Sequence, residues 1–161
     1  MDSWSTDMTE IRRATIDDLD DLVCSCAALF AEDGAARDRF RNVNWPAVHA
    51  ATWCADVLAD PVNLVIVATA EGEVVGHLIG MYSEPSEMWT ASRAELVSMF
   101  VAEPVRGQGV GGLLVEEFIT WAYERGATRM HVQAYATNEA AIRLYQHHGF
   151  TPLSTTLVAD L

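Results

Sequence analysis

A mixed α/β domain is what this sequence predicts, and three observations carry the prediction. Two β-rich runs, Val62–Ala70 and Val74–Tyr82, are joined by Glu71-Gly72, a tight-hairpin pair in which glycine supplies a positive φ. Apolar residues recur at three- and four-residue steps before this meander (Leu19, Leu22, Val23, Cys26, Leu29, Phe30) and after it (Leu114, Phe118, Trp121, Ala122). Beyond the meander, strand and helix patterns alternate as β-α-β-α-β. With 161 residues the chain is long enough to bury one sizeable core, so residues 1–161 are expected to form a single domain.

Each element has its own local signal. Glu10–Arg13 reads as a short opening strand, with Ile11 as its apolar member. Thr15 and Asp17 are N-cap residue types for the first helix, and Asp17, Asp18, Asp20 and Asp21 crowd the turn where the helix dipole favours acids. Glu32-Asp33-Gly34 is expected to stop that helix, leaving Ala35–Val43 as an arginine-rich loop or broken turn. Asn44-Trp45-Pro46 opens a second helix and Asp60-Pro61 ends it, because proline fits a first turn and not an interior. Glu84–Ser92 is a polar loop, and Ala94–Val101 is a third β-rich run. If that strand is regular, residues 95, 97, 99 and 101 project to one side. The next helix ends at Arg125-Gly126. Met130–Ala136 reads as a strand, Asn138–His148 as a helix stopped by Gly149, and Phe150–Leu161 as a final β-rich stretch.

Composition removes several function classes. All ten basic residues are arginine, against 23 acids, for a net charge of −13. A nucleic-acid binder needs a basic stripe to neutralise phosphates, and none is present. Without lysine there is no Walker-A loop, and no Schiff base with a cofactor aldehyde. Met1–Glu10 is polar and acidic, unlike a signal peptide, and the most apolar stretch, Leu64–Ala68, is far short of the roughly 18 residues a membrane span needs. A soluble, cytoplasmic protein with no membrane partner is the expectation. The three cysteines, Cys24, Cys26 and Cys54, are an odd number and are expected to be buried, reduced thiols. His77 alternates with apolar residues and reads as a satisfied core imidazole; no spacing suggests a metal site.

Arg106-Gly107-Gln108-Gly109-Val110-Gly111-Gly112 links a strand to a helix N-terminus. Glycines there let backbone N–H groups converge on an anion with the helix dipole behind them, and a pyrophosphate fits that chemistry. Gly107, Gly109 and Gly112 also satisfy the dinucleotide fingerprint G-x-G-x-x-G. That motif wants an acid about 20 positions later, where this chain has Gln133-Ala134-Tyr135-Ala136.

Arg106-x-x-Gly109-x-Gly111 resembles instead the acyl-CoA pyrophosphate loop of the GNAT superfamily of N-acetyltransferases. Asn138-x-x-Ala141-x-x-Leu144-Tyr145-x-x-x-Gly149-Phe150 resembles that superfamily's second signature at every fixed position. The two motifs stand in this order, separated by one helix and one strand, and with the strand Glu95–Val101 before them the close resemblance covers about residues 94–150. The resemblance implies a central, mostly antiparallel mixed sheet with flanking helices and a splayed strand pair that holds acyl-CoA. It implies transfer of an acetyl group from acetyl-CoA, as co-substrate, directly to a primary amine.

The resemblance also assigns roles. Arg106, Gly107, Gln108, Gly109, Val110, Gly111 and Gly112 would hold the pyrophosphate. Met99, Phe100 and Val101 would hold the pantetheine, with a backbone N–H at Phe100 or Val101 facing the oxyanion. Asn138 and Ala141 would position the cofactor arm. Tyr145 would protonate the leaving thiolate, and Glu95, six residues before Val101, would serve as base, through a water. The acceptor would meet the first two helices and the loop before the acyl-CoA strand, where Glu32, Trp45, Glu84 and Trp89 are candidates. Residues 1–80 hold 5 Arg against 14 acids, a balance of −9, and residues 81–161 hold 5 Arg against 9 acids, a balance of −4. That asymmetry points to a small cationic amine or a peptide amine, or else simply serves solubility. Two further expectations attach to the resemblance. A non-catalytic acyl-CoA-binding regulatory module is the alternative function, and a homodimer could form through the Thr151–Leu161 tail.

Overall fold

The computed structural model describes residues 8–161, so most of the expectation for the polar N-terminal stretch lies outside the described residues. Five strands form one sheet in the order β1-β2-β3-β4-β5: Thr9–Arg13, Leu64–Ala70, Glu73–Ser83, Arg93–Val101 and Arg129–Val132. Every neighbouring pair is antiparallel except β4 and β5, which run parallel. The β2–β3 hairpin turns at Glu71 and Gly72, both at positive φ, as a two-residue turn with matching twist demands. Four helices flank the sheet: α1 (Leu19–Ala36), α2 (Trp45–Ala59), α3 (Val110–Glu124) and α4 (Glu139–His147).

The two faces of the sheet carry separate cores. On one, Leu22 and Cys26 of α1 and Cys54 and Val57 of α2 pack against Val65 and Ile79. On the other, Leu114, Val115, Phe118 and Trp121 of α3 pack against Leu64, Ile66, Leu78 and Leu96, with Tyr145 of α4 joining them. A central strand covered on both faces has no polar side to show, and β2 is buried along its entire length. His77 lies in this interior, fully buried, held by the Ser25 hydroxyl at Nδ1 and the Ser98 hydroxyl at Nε2, 2.8 Å away. Among the described residues, no helix is long and apolar enough to cross a membrane.

Several expectations need correction. Helix α1 does not stop at Glu32-Asp33-Gly34 but runs to Ala36. Its last turn is held by Arg37, which donates to Asp33 at 2.8 Å and to Glu32 at 3.3 Å. Gly34 serves a close approach instead of a stop, since a Cβ there would collide with the side chain of Val43. Strand β5 ends at Val132, short of Ala136. Residues 151–161 form no strand; they are exposed throughout, with Leu157 89% and Val158 88% accessible. β-rich composition becomes a strand only beside a pairing partner, and the chain offers this tail none. Cys24 is exposed, and the buried thiols are Cys26 and Cys54.

Candidate active site

Strand β4 organises the site through a bulge. Its pairing with β3 shifts between Ile79 and Gly80: Ser98 faces Ile79 and Leu96 faces Gly80, which leaves Val97 as the extra residue. One inserted residue flips the alternation. Residues 95, 97, 99 and 101 therefore do not share a side. Ala94, Leu96, Met99 and Val101 pack on the α3 face. Glu95 lies opposite Met81, which belongs to the α1/α2 core, and Ser98 reaches His77 on that same side. Cross-strand neighbours share a face, so the bulge puts Glu95 and Ser98 on the helix-pair side and Met99 and Val101 on the other.

The β4–β5 pairing covers only Arg93–Leu96 with Arg129–Val132. From Val97 to Val101 the outer edge of β4 has no strand partner among the described residues, which is the splay that the resemblance implies. Phe100 lies under the Arg106 guanidinium, 5.1 Å from its ring centre.

The glycine loop lies at the end of β4. Gly107 and Gly109 hold φ of 76° and 86°, a left-handed conformation that side-chain-bearing residues disfavour. Gly109 is the N-cap of α3, so the N–H groups of Val110, Gly111 and Gly112 fall in a first turn with no intrahelical acceptor. Together with the dipole, they form a cradle suited to phosphate oxygens. A Cβ on Gly111 would stand 3.1 Å from Leu144 Cδ2, so this glycine also lets α4 close on α3. Gln108 is half-buried in the loop. Arg106 is already engaged: Nε donates to the Val101 carbonyl at 2.8 Å, and both Nη atoms donate to Glu32 at 3.1 and 2.7 Å. Glu32, read as an acceptor ligand, thus sits between Arg106 and Arg37, and these pairs hold its pKa below the usual value.

On α4, the Asn138 side chain caps the helix by accepting from the Ala141 N–H at 3.3 Å, which fixes the start of the element that carries Tyr145. Tyr145 is 8% exposed, with its ring edge-on to Phe150 at 5.9 Å. Burial pushes its pKa up to about 12, so the phenol stays protonated through neutral pH.

On the opposite face of β4, α1 and α2 enclose a hollow of about 140 Å³. Phe30 and Trp45 stack in its wall, centroids 5.2 Å apart and 9° from parallel, and Trp53 meets Trp45 edge-on at 6.5 Å. Val97 and Ser98 contribute the bulge of β4, and Arg41 completes the lining. Trp45 is therefore in this hollow, whereas Glu84 and Trp89 are exposed in the β3–β4 loop, outside its lining, with Trp89 near Arg93.

Sequence reasoning missed His131. It pairs laterally with Glu95 across the parallel β4–β5 register. Its buried Nε2 has no hydrogen-bond partner, and burial, followed by Arg93 and Arg129, lowers its pKa. Its position between Met130 and Val132 is the same apolar alternation that identified His77. Among the described residues, no group of three His, Cys, Asp or Glu side chains is arranged to hold a metal ion.

A glycine cradle at the end of a splayed strand, with a hollow on that strand's other face, leaves room for two small ligands beside one strand. The acetyltransferase (GNAT) family model matches residues 29–150, and the chain belongs to that family. It is 31% identical over 141 residues to an uncharacterized N-acetyltransferase of Archaeoglobus fulgidus, covering 84% of this chain and 88% of that protein. It is 32% identical over 94 residues to the mycothiol acetyltransferase of Jonesia denitrificans, covering 58% of this chain but only 28% of that relative's length. A predicted acetyltransferase from Clostridium acetobutylicum, solved with acetyl-CoA, shares the fold with a TM-score of 0.74 at 16% identity, over 95% of this chain and 96% of that one.

Proposed function

We propose that residues 1–161 form one N-acetyltransferase domain that moves an acetyl group from acetyl-CoA to a primary amine by direct attack. One observation carries the reading: β4 presents an unpaired edge beside a glycine cradle, and its bulge opens into a hollow on the opposite face. The residues present fit the co-substrate. The first-turn amides of α3 suit its pyrophosphate, and the free edge of β4 suits the amide groups of its pantetheine arm. Met99, Phe100 and Val101 line that edge, while Asn138 and Ala141 fix the start of α4 beside it. Acetyl-CoA supplies the activated acyl group and a sulfur leaving group.

The chain's own groups do the rest. An alkyl ammonium has an unperturbed pKa near 10.4 and must lose a proton before it attacks. Glu95, on the acceptor face of β4, accepts that proton through a water. The amine nitrogen then bonds to the acyl carbon as the carbon–sulfur bond breaks, and the nitrogen gives its second proton to water to leave a neutral amide. N–H groups on the unpaired edge of β4 are donors for the negative charge that develops on the acyl oxygen. Tyr145, held protonated by burial, donates to the departing sulfur and recovers its proton from solvent.

The test is Tyr145→Phe. Amine-stimulated thiol release is expected to fall about 100-fold or more in kcat, while calorimetric affinity for acetyl-CoA stays within twofold. An unchanged kcat would remove Tyr145 as the acid. Acetyl-CoA binding without thiol release for any amine would favour a binding module over an enzyme.

A further inference from the structure

We infer that the acceptor is a primary amine that also carries a carboxylate and one aromatic or branched apolar group, of the aromatic amino acid type. This inference rests on the transferase reading and concerns the hollow between α1, α2 and β4. Its volume, about 140 Å³, is close to that of engineered cavities of ~150 Å³ that take one benzene ring. Its wall is a stack of Phe30 on Trp45 with Trp53 edge-on, surfaces that suit a flat ring better than a chain of ammonium groups.

The charges in and around the hollow point the same way. No carboxylate lines it. The acids that a polycation would use lie elsewhere: Glu32 is paired with Arg106 and Arg37, and Glu84 is exposed in the β3–β4 loop. Arg41 is the one charged residue in the lining, and it makes no ion pair among the described residues. Its guanidinium carbon lies 3.9 Å from the centre of the Phe30 ring. Stacking holds the plane of a guanidinium and leaves its N–H edge open, which is the form that grips a carboxylate by two parallel hydrogen bonds. In a chain of net charge −13, an arginine with no acidic partner at the lip of an aromatic hollow is a receptor for an anionic group. Glu95 and the Val97–Ser98 bulge lie on the same face of β4, so an amine seated there has its proton acceptor on the strand whose unpaired edge suits the acyl donor.

Thiol release from acetyl-CoA with phenylalanine, phenethylamine and spermidine separates the possibilities, because phenethylamine keeps the ring and amine but lacks the carboxylate. The expected order in kcat/KM is phenylalanine at least tenfold above phenethylamine, with spermidine lowest. In Arg41→Gln the preference for phenylalanine over phenethylamine should shrink at least tenfold, and Arg41→Lys should restore part of it. Spermidine as the best acceptor, or an unchanged preference in Arg41→Gln, would overturn the inference and leave the transferase reading intact. Calorimetry of phenylalanine into the protein–CoA complex separates the converse case. Binding that Arg41→Gln abolishes, without thiol release, would support the pocket chemistry while removing the transferase reading.

Discussion

At the scale of single residues, two buried ionisable groups set the acid response. His77 has both ring nitrogens against serine hydroxyls, and complete burial lowers its pKa to about 4. A histidine whose folded pKa is depressed is bound to a proton more readily in the unfolded chain. Its contribution is therefore complete above the unfolded value of 6.5 and is lost as pH falls toward 4. That interval corresponds to roughly 3 kcal/mol. Asp18 titrates in a lower window. Arg12 grips both its oxygens at 2.8 Å, and the Thr15 N–H adds a third bond, which lowers its pKa to about 2. Its contribution is present above the unfolded value of 3.8 and is lost only as pH falls toward 2. Urea denaturation at intervals from pH 7.5 to 4 should show His77→Gln less stable at neutral pH yet with a shallower loss on acidification. Parallel curves for the two proteins would exclude His77 as the source.

At the scale of elements, the bulge in β4 is the feature on which the site depends. Val97 is 38% exposed, so Val97→Ala is expected to change stability by less than about 1 kcal/mol. Deleting the residue restores strict alternation and turns either Glu95 or Met99 to the wrong face. The deletion is expected to cost more than about 3 kcal/mol in urea denaturation, or to abolish cooperative unfolding. Sequence pattern located the five strands and four helices of the described residues, but it also placed a strand at Phe150–Leu161, where no neighbouring strand pairs, and it misjudged ends that tertiary contacts decide. Glu32-Asp33-Gly34 has the composition of a helix stop, but Arg37 and the return of Val43 against Gly34 keep the helix going. Val97 looks like an ordinary strand residue, because a bulge without glycine leaves no mark in composition. The glycine loop and the Asn138–Phe150 motif were legible because backbone conformation demands particular residues there. The placement of His131 and Arg41 was not, because it arises from lateral pairing and from a stack between a loop and a helix.

At the scale of the whole molecule, the acidity is uneven, and it is the arginines that are largely committed. Arg12, Arg37, Arg39, Arg106 and Arg143 each pair with a carboxylate. The acids of the N-terminal half, which suggested a cationic acceptor, do not converge on the hollow. The C-terminal tail is tied back by one exposed pair, Arg39 with Asp160 at 2.7 Å, and contacts of that kind contribute little.

Arg106 illustrates what this commitment implies for solution behaviour. It is the one cationic side chain in the glycine loop, and Glu32 already balances its charge. A polyphosphate arriving there meets amide dipoles at contact distance and no uncompensated cation in the loop to draw it in. Screening by salt acts chiefly on the long-range part. Acetyl-CoA affinity measured by calorimetry should therefore not fall as salt rises from about 50 to 300 mM, since screening removes only repulsion from the acidic chain, whereas Glu32→Gln, by freeing the guanidinium, should make it fall with salt. A steep fall with salt in the unmodified protein would mean that the guanidinium leaves Glu32 on binding. In this protein, ionic strength is a weak lever on the donor and a carboxylate 74 residues away in the sequence decides how weak.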